Sequence, residues 1–197
     1  TDGNVVAGID VNGSDYVRVI GNHGYNNGAA GGGGAIALFS SNRCNIEGNT
    51  ANSNTGFGID VRYSTRSNIA NNNCNDNAYS GISISSGAVG ASNKITITGN
   101  TCDENGEHGI VLDAGGLSYF INYVTVTGNS CSGNGTAAIT TGKGIYFEDN
   151  IYDSIISSNV CENNYDAGIE VAAGSRNGSI IGNVCLNNGR DTGLTAI

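Results

Sequence analysis

Short apolar segments recur along the chain, and each runs into the same polar signature. An apolar stretch is followed by Gly-Asn or a relative of it, and a second Asn comes five residues later. The first Asn falls at Asn22, Asn49, Asn72, Asn100, Asn129, Asn159 and Asn183. The second falls at Asn27, Asn54, Asn77, Asn105, Asn134, Asn164 and Asn188. Between them sits a small residue: Gly24, Ala51, Cys74, Cys102, Cys131, Cys161 or Cys185. After each block comes another apolar segment, opened by Gly-Ile or a variant, as in Gly58-Ile59, Gly81-Ile82, Gly109-Ile110, Gly144-Ile145 and Gly168-Ile169. Its alternation is strict. Ile59 and Val61, Ile82 and Ile84, or Ile110 and Leu112 share one face. Asp60, Ser83, Val111, Tyr146 and Glu170 fall on the other, as a period of two requires of a strand.

Successive copies are 27, 23, 28, 29, 30 and 24 residues apart, the length of a solenoid coil of two or three strands. No copy has room for a helix with an apolar i, i+3, i+4 stripe. The pattern predicts an all-β solenoid of about seven coils, each laid in parallel register on the last at about 4.8 Å. Identical side chains then stack into Asn and Cys ladders, and an Asn ladder satisfies turn backbone groups and neighbouring amides together. The Gly before each Ile marks a position with no room for a side chain or with a positive φ.

The run Ile95-Thr96-Ile97-Thr98-Gly99-Asn100-Thr101-Cys102, continuing to Asn105 and Gly109-Ile110-Val111-Leu112, resembles the right-handed parallel β-helix repeats of the pectate-lyase-like superfamily. That group includes NosD-type proteins, alginate epimerases and phage tailspikes. The resemblance covers nearly the whole chain and implies one β-helix domain over residues 1–197. It says little about activity, because this architecture serves many roles. The Asp-Pro-His-Glu block of the alginate epimerases is absent.

Composition agrees: 32 Gly, 30 Asn and no Pro in 197 residues, with strand formers outnumbering helix formers. Eight basic residues against 17 acidic ones give a net charge of −9 without a sequence cluster of cations, which argues against nucleic acid as a partner. No segment is apolar for long enough to insert in a membrane as a helix. Five of the six cysteines share one coil position, while Cys44 aligns with Ile95 and Val124. In-register neighbours sit farther apart than disulfide geometry prefers, so buried free thiols are expected ahead of strained disulfides or a metal row. No cofactor or metal-ligand set is expected. His23 and His108 lie far apart and there is no Met, which argues against copper.

Two functional readings stand side by side. The chain opens near Val5, Val6, Ile9 and Val11 and stops at Leu194, Thr195, Ala196 and Ile197 without a capping helix. Bare ends suit either a segment of a longer protein or head-to-tail self-assembly of an extracellular structural solenoid into a filament or cell- or virion-surface appendage. The alternative is a β-helix that binds or cleaves carbohydrate on the exposed face of its longest coils. Its candidate residues are Glu107, His108, Asp113, Tyr119, Phe120, Tyr146 and Glu148, with Lys143, Asp149 and Asp153 nearby. Insertions in a solenoid map to loops on one face, often the binding face. The sequence favours a structural role over catalysis and leaves binding of a polysaccharide open.

Overall fold

A computed structural model describes residues 3–28, 33–116, 118–136 and 141–189. Leu194, Thr195, Ala196 and Ile197 lie outside these described residues. The chain winds into a parallel solenoid of about six turns whose walls are strands, with no helix among the described residues.

The first wall stacks seven strands: Ile9–Asn12, Gly34–Phe39, Phe57–Arg62, Ile82–Ser85, Ile110–Asp113, Ile145–Phe147 and Ile169–Val171. We number the coils one to seven by these strands. The second wall also has seven, from Arg18–Ile20 to Ser179–Ile181. The third wall carries the small-residue position, and there Cys131 pairs in register with Cys161, and Cys161 with Cys185. All neighbours are parallel, so each residue stands on its counterpart one coil away. Ile59 pairs with Ile82, Ile82 with Ile110, and Ile110 with Ile145. The inward rows of Ile, Val and Leu meet in one continuous core that also takes in Cys44, Cys74, Cys102, Cys131 and Cys161. All six cysteines are free, and Cys185 alone is exposed.

Two asparagine ladders run the length of this core. In the first, the backbone N–H and Nδ2 of each Asn from Asn22 to Asn159 donate to the Oδ1 of the Asn one coil on, at 2.9–3.1 Å. In the second, the same pair of bonds joins Asn27 through Asn188 and extends one coil further towards the start, to Asn4. Asn4 precedes Gly8-Ile9 by the same four residues that separate Asn54 from Gly58 and Asn77 from Gly81. A shorter hydroxyl ladder links Ser14, Ser41, Ser64 and Ser92.

The glycines that precede Ile have a purely steric reason. Gly58, Gly81, Gly109 and Gly144 have no positive φ. A Cβ on Gly109 would sit 2.6 Å from the Gly144 carbonyl oxygen, 2.8 Å from Cys131 Cβ and 3.0 Å from Asn134 Nδ2. The ladder amide and the stacked backbone fill that space. Of the two alternatives in the sequence pattern, lack of room is the one observed.

Asn100 shows what the ladder is worth. Its Oδ1 accepts from Asn72 N and Nδ2, and its Nδ2 donates to Ile69 O and Asn129 Oδ1, at 2.9–3.0 Å. Asn100→Ala removes a partner from four buried groups and is expected to cost about 3 kcal/mol. Asn183→Ala, at the partly exposed end, should cost about 1 kcal/mol. Urea unfolding of the two variants checks the difference.

Candidate functional site

Coils five to seven present a polar cluster on the outer face of the first wall. Tyr146 stands at its centre because strand register places it between Val111 and Glu170. The His108 ring packs on Tyr146 with 5.1 Å between ring centroids. Lys143, only 6% exposed, holds its ammonium 4.5 Å from the Tyr146 ring centre and pairs with Asp166 at 3.1 Å and Glu170 at 3.5 Å. Leu112 pairs with Phe147, so Asp113 and Glu148 follow side by side, about one strand spacing apart. Glu107 completes the rim.

The protonation pattern follows from burial and charge. The backbone N–H of Lys143 donates to His108 Nδ1 at 3.1 Å, which leaves the neutral ring its proton on Nε2. Burial and the Lys143 charge push the His108 pKa down to about 4, against a smaller upward pull from Asp166. His108 is therefore a neutral hydrogen-bond donor at pH 7, with its basic nitrogen already occupied. Burial raises Glu148, and the adjacent Asp113 and Asp149 carboxylates add to that. Burial also raises Glu107, opposed by a hydrogen bond with Ser80, and it raises the Tyr146 phenol.

Of the residues the sequence singles out, the structure gathers Glu107, His108, Asp113, Tyr146 and Glu148, together with Lys143. Phe120 and Tyr119 go elsewhere: Phe120 stacks on Tyr152 at 6.4 Å, and Arg176 covers the Tyr152 ring at 4.5 Å. Tyr119 is held in a local turn by its N–H to Gly116 O. Asp153 lies at a left-handed corner with φ 50°. Sequence reasoning missed Asp166 and Glu170 as the counter-ions of Lys143. Glu170 was legible as an outward position, but its partner lies one coil back. It also missed Asp60, an outward residue in the same strand position as Tyr146, three coils earlier. Asp60 is 3% exposed, and its Oδ2 is held by Arg62 at 2.7–2.8 Å while Oδ1 has no partner. Val5 and Val6 are exposed, whereas Ile9 is partly buried and Val11 belongs to the core.

Residues 2–123 match the family model described as Right handed beta helix region. The chain belongs to the right-handed β-helix family. No curated protein matches it by sequence. Among solved structures, this β-helix is similar to the A-module of mannuronan C-5 epimerase AlgE4 from Azotobacter vinelandii. The TM-score is 0.58 at 16% identity, over 87% of this chain and 54% of that one. The chain thus spans about half the length of that module, and the likeness is one of fold.

His108 gives the site a spectroscopic signature. Its imidazole resonances should titrate with a midpoint of about 4. Removing the nearby cation in Lys143→Met should move that midpoint up towards the ordinary 6.5. The depressed value means that the unfolded chain binds the extra proton first. The stability His108 contributes is therefore complete above pH 6.5 and is lost as pH falls towards 4. NMR titration of both proteins checks the position and the direction.

Proposed function

We propose that this β-helix binds a neutral polysaccharide across the outer face of its first wall, with Tyr146 as the stacking platform. The observation that carries the reading is the setting of that ring. It is packed on one side by His108, held by the buried Lys143 ammonium, and flanked by the Asp113 and Glu148 carboxylates. A fixed aromatic face with acceptors and a neutral donor around it is what sugar recognition requires. The charge on Lys143 is already matched by Asp166 and Glu170, and the rest of the rim is acidic. The site therefore favours uncharged hydroxyls over a polyanion. The occupied Nδ1 of His108 argues against its use as a general base. Likeness in fold to a module that acts on mannuronan supports carbohydrate as the ligand class. Asp113 and Glu148 are neighbouring carboxylates on adjacent coils, the residue pair that glycoside hydrolysis uses, so the titrations also look for cleavage.

End-to-end self-association is the second reading. Val171, Ile180, Ile181, Val184 and Leu186, in the last described coil, are 40–62% exposed. A further coil laid on that rung would cover them. This assembly would continue the Asn ladders across subunits, with both wall edges supplying strand partners.

Calorimetric titration against neutral soluble glucans, mannans and galactans tests the first reading. Tyr146→Ala should weaken the best ligand by about tenfold, the worth of one stacked ring, while Tyr146→Phe should bind within about twofold. If reducing ends appear, Glu148→Gln should abolish them. Failure of every neutral glycan to bind, or unchanged affinity in Tyr146→Ala, contradicts the proposal.

A further inference from the structure

Asn-Gly is the dipeptide in which an asparagine side chain cyclises most readily, because glycine leaves its backbone nitrogen unshielded and free to approach. Six such pairs occur in the chain, at Asn12, Asn27, Asn105, Asn134, Asn177 and Asn188, and the fold treats them differently. Asn27, Asn105, Asn134 and Asn188 belong to the second ladder and are buried. Their amides are held from both sides. Asn105 Oδ1 accepts from Asn77 N and Nδ2, and its Nδ2 donates to Asn134 Oδ1, all at 3.0 Å. The glycine nitrogen after each is occupied as well: Gly28, Gly106, Gly135 and Gly189 donate to the carbonyls of Asn4, Asn77, Asn105 and Asn164 at 2.8–3.1 Å.

The two pairs outside the ladders are both exposed. Asn12 closes the strand Ile9–Asn12 and pairs there with Phe39, and Gly13 donates its N–H to Phe39 O at 3.0 Å. Asn177 and Gly178 have no such hold. Neither the Asn177 amide nor the Gly178 N–H has a hydrogen-bond partner among the described residues. Tyr123 and Asp153, at the same corner of the two preceding coils, donate their N–H forward to Tyr152 O and Arg176 O, whereas no described coil lies beyond Asn177. The pair joins Arg176, which is bridged to Tyr152, to the strand Ser179–Ile181, whose first N–H bonds to Ser154 O at 3.0 Å. A Cβ built on Gly178 would meet only that Ser154 oxygen, at 3.2 Å, so the rest of the turn is open. Asn177 itself has φ 58°, a conformation asparagine tolerates.

We propose that Asn177 is the position at which this folded chain modifies itself, by deamidation through the Gly178 nitrogen. That nitrogen attacks Asn177 Cγ. The new N–C bond forms, the Cγ–Nδ2 bond breaks, and ammonia leaves with the proton that Gly178 carried. Water then opens the cyclic imide at either carbonyl. Opening at the side-chain carbonyl leaves an aspartate, and opening at the main-chain carbonyl leaves an isoaspartate with an extra carbon in the backbone. Either product sets a carboxylate beside Arg176, whose guanidinium lies 4.5 Å from the Tyr152 ring centre and donates to the Tyr152 hydroxyl at 3.2 Å. The isoaspartate also lengthens the main chain between two pinned points, since Arg176 N bonds to Ile151 O and Ser179 N to Ser154 O. One of those bonds has to yield, so the last strand of the second wall loosens while the ladders stay closed. No step involves the Tyr146 cluster, and the inference stands apart from the carbohydrate reading.

The test ages the full chain at neutral pH and maps its peptides over time by mass spectrometry, reading the amide-to-acid mass change at each of the six asparagines and separating the two isomers. Asn177 should convert first and yield both aspartate and isoaspartate. Asn12 should convert about fivefold more slowly, the weight of the one net backbone hydrogen bond that holds Gly13. The ladder asparagines should stay intact for as long as the chain stays folded. In urea all of these sites should convert at similar rates, which assigns the selectivity to the fold rather than to neighbouring residues. Gly178→Ala crowds the attacking nitrogen and should slow conversion of Asn177 by about tenfold. In the isoaspartate form the Ser179 amide should exchange with solvent about fivefold faster than in fresh protein. Equal rates at Asn12 and Asn177, earlier conversion of any ladder asparagine, aspartate without isoaspartate, or a preference for Asn177 that persists in urea would overturn the proposal. Unchanged exchange at Ser179 would overturn the loosening of the strand.

Discussion

Every part of this molecule depends on the side-chain amide of one asparagine being completed by the next coil. An Asn in either ladder has buried donors and a buried acceptor whose partners come chiefly from the adjacent coils. Bonds inside its own coil, such as Asn54 Nδ2 to Asn52 O and Asn129 Nδ2 to Thr127 O, only add to them. Asn72 needs Asn100, which needs Asn129. A coil that shifted by one residue would leave two amides and several backbone groups unpaired in the core, at a cost of 1–3 kcal/mol each. Register is thereby fixed twice per coil, and the apolar rows of Ile and Val fall into line with it. The glycines before Ile complete the arrangement by leaving space for the ladder amide to reach across.

This constraint is also what makes function readable on the surface. Coil length varies between copies, yet the ladder positions do not move, so extra residues go to the outside. Outward residues far apart in sequence become neighbours at one strand spacing. His108 and Lys143 are joined by a hydrogen bond across 35 positions of sequence. The same stacking lines up Arg43, Arg66 and Lys94 at one corner. Mixed chemistry can therefore coexist on one small solenoid, with an acidic, ring-centred face on the first wall and a basic edge at its corner.

The ladders, the inward Ile rows and the outward Tyr146 were legible in the sequence, since a fixed interval and a period of two depend on nothing beyond the chain itself. The gathering of Glu107, His108, Asp113 and Glu148 followed from aligning the copies. What escaped was set by three-dimensional detail. Phe120 lies in an insertion, where the repeat gives no register, and it stacks on Tyr152 rather than beside Tyr146. The counter-ions of Lys143 come from the following coil, and one of them, Asp166, lies between strands. The three cations Arg43, Arg66 and Lys94 are 23 and 28 positions apart in the chain and come together only across coils.

Native-state hydrogen exchange of the asparagine side chains tests this account most directly. If the ladders hold the coils in register, the Nδ2 protons of Asn72, Asn100 and Asn129 should exchange only with global unfolding. Their protection would then match that of the backbone amides of Ile97 and Val126 beside them. Exchange of these Nδ2 protons at the rate of exposed turns, while the strand amides stay protected, would contradict it. The coils would then be held by their apolar rows alone.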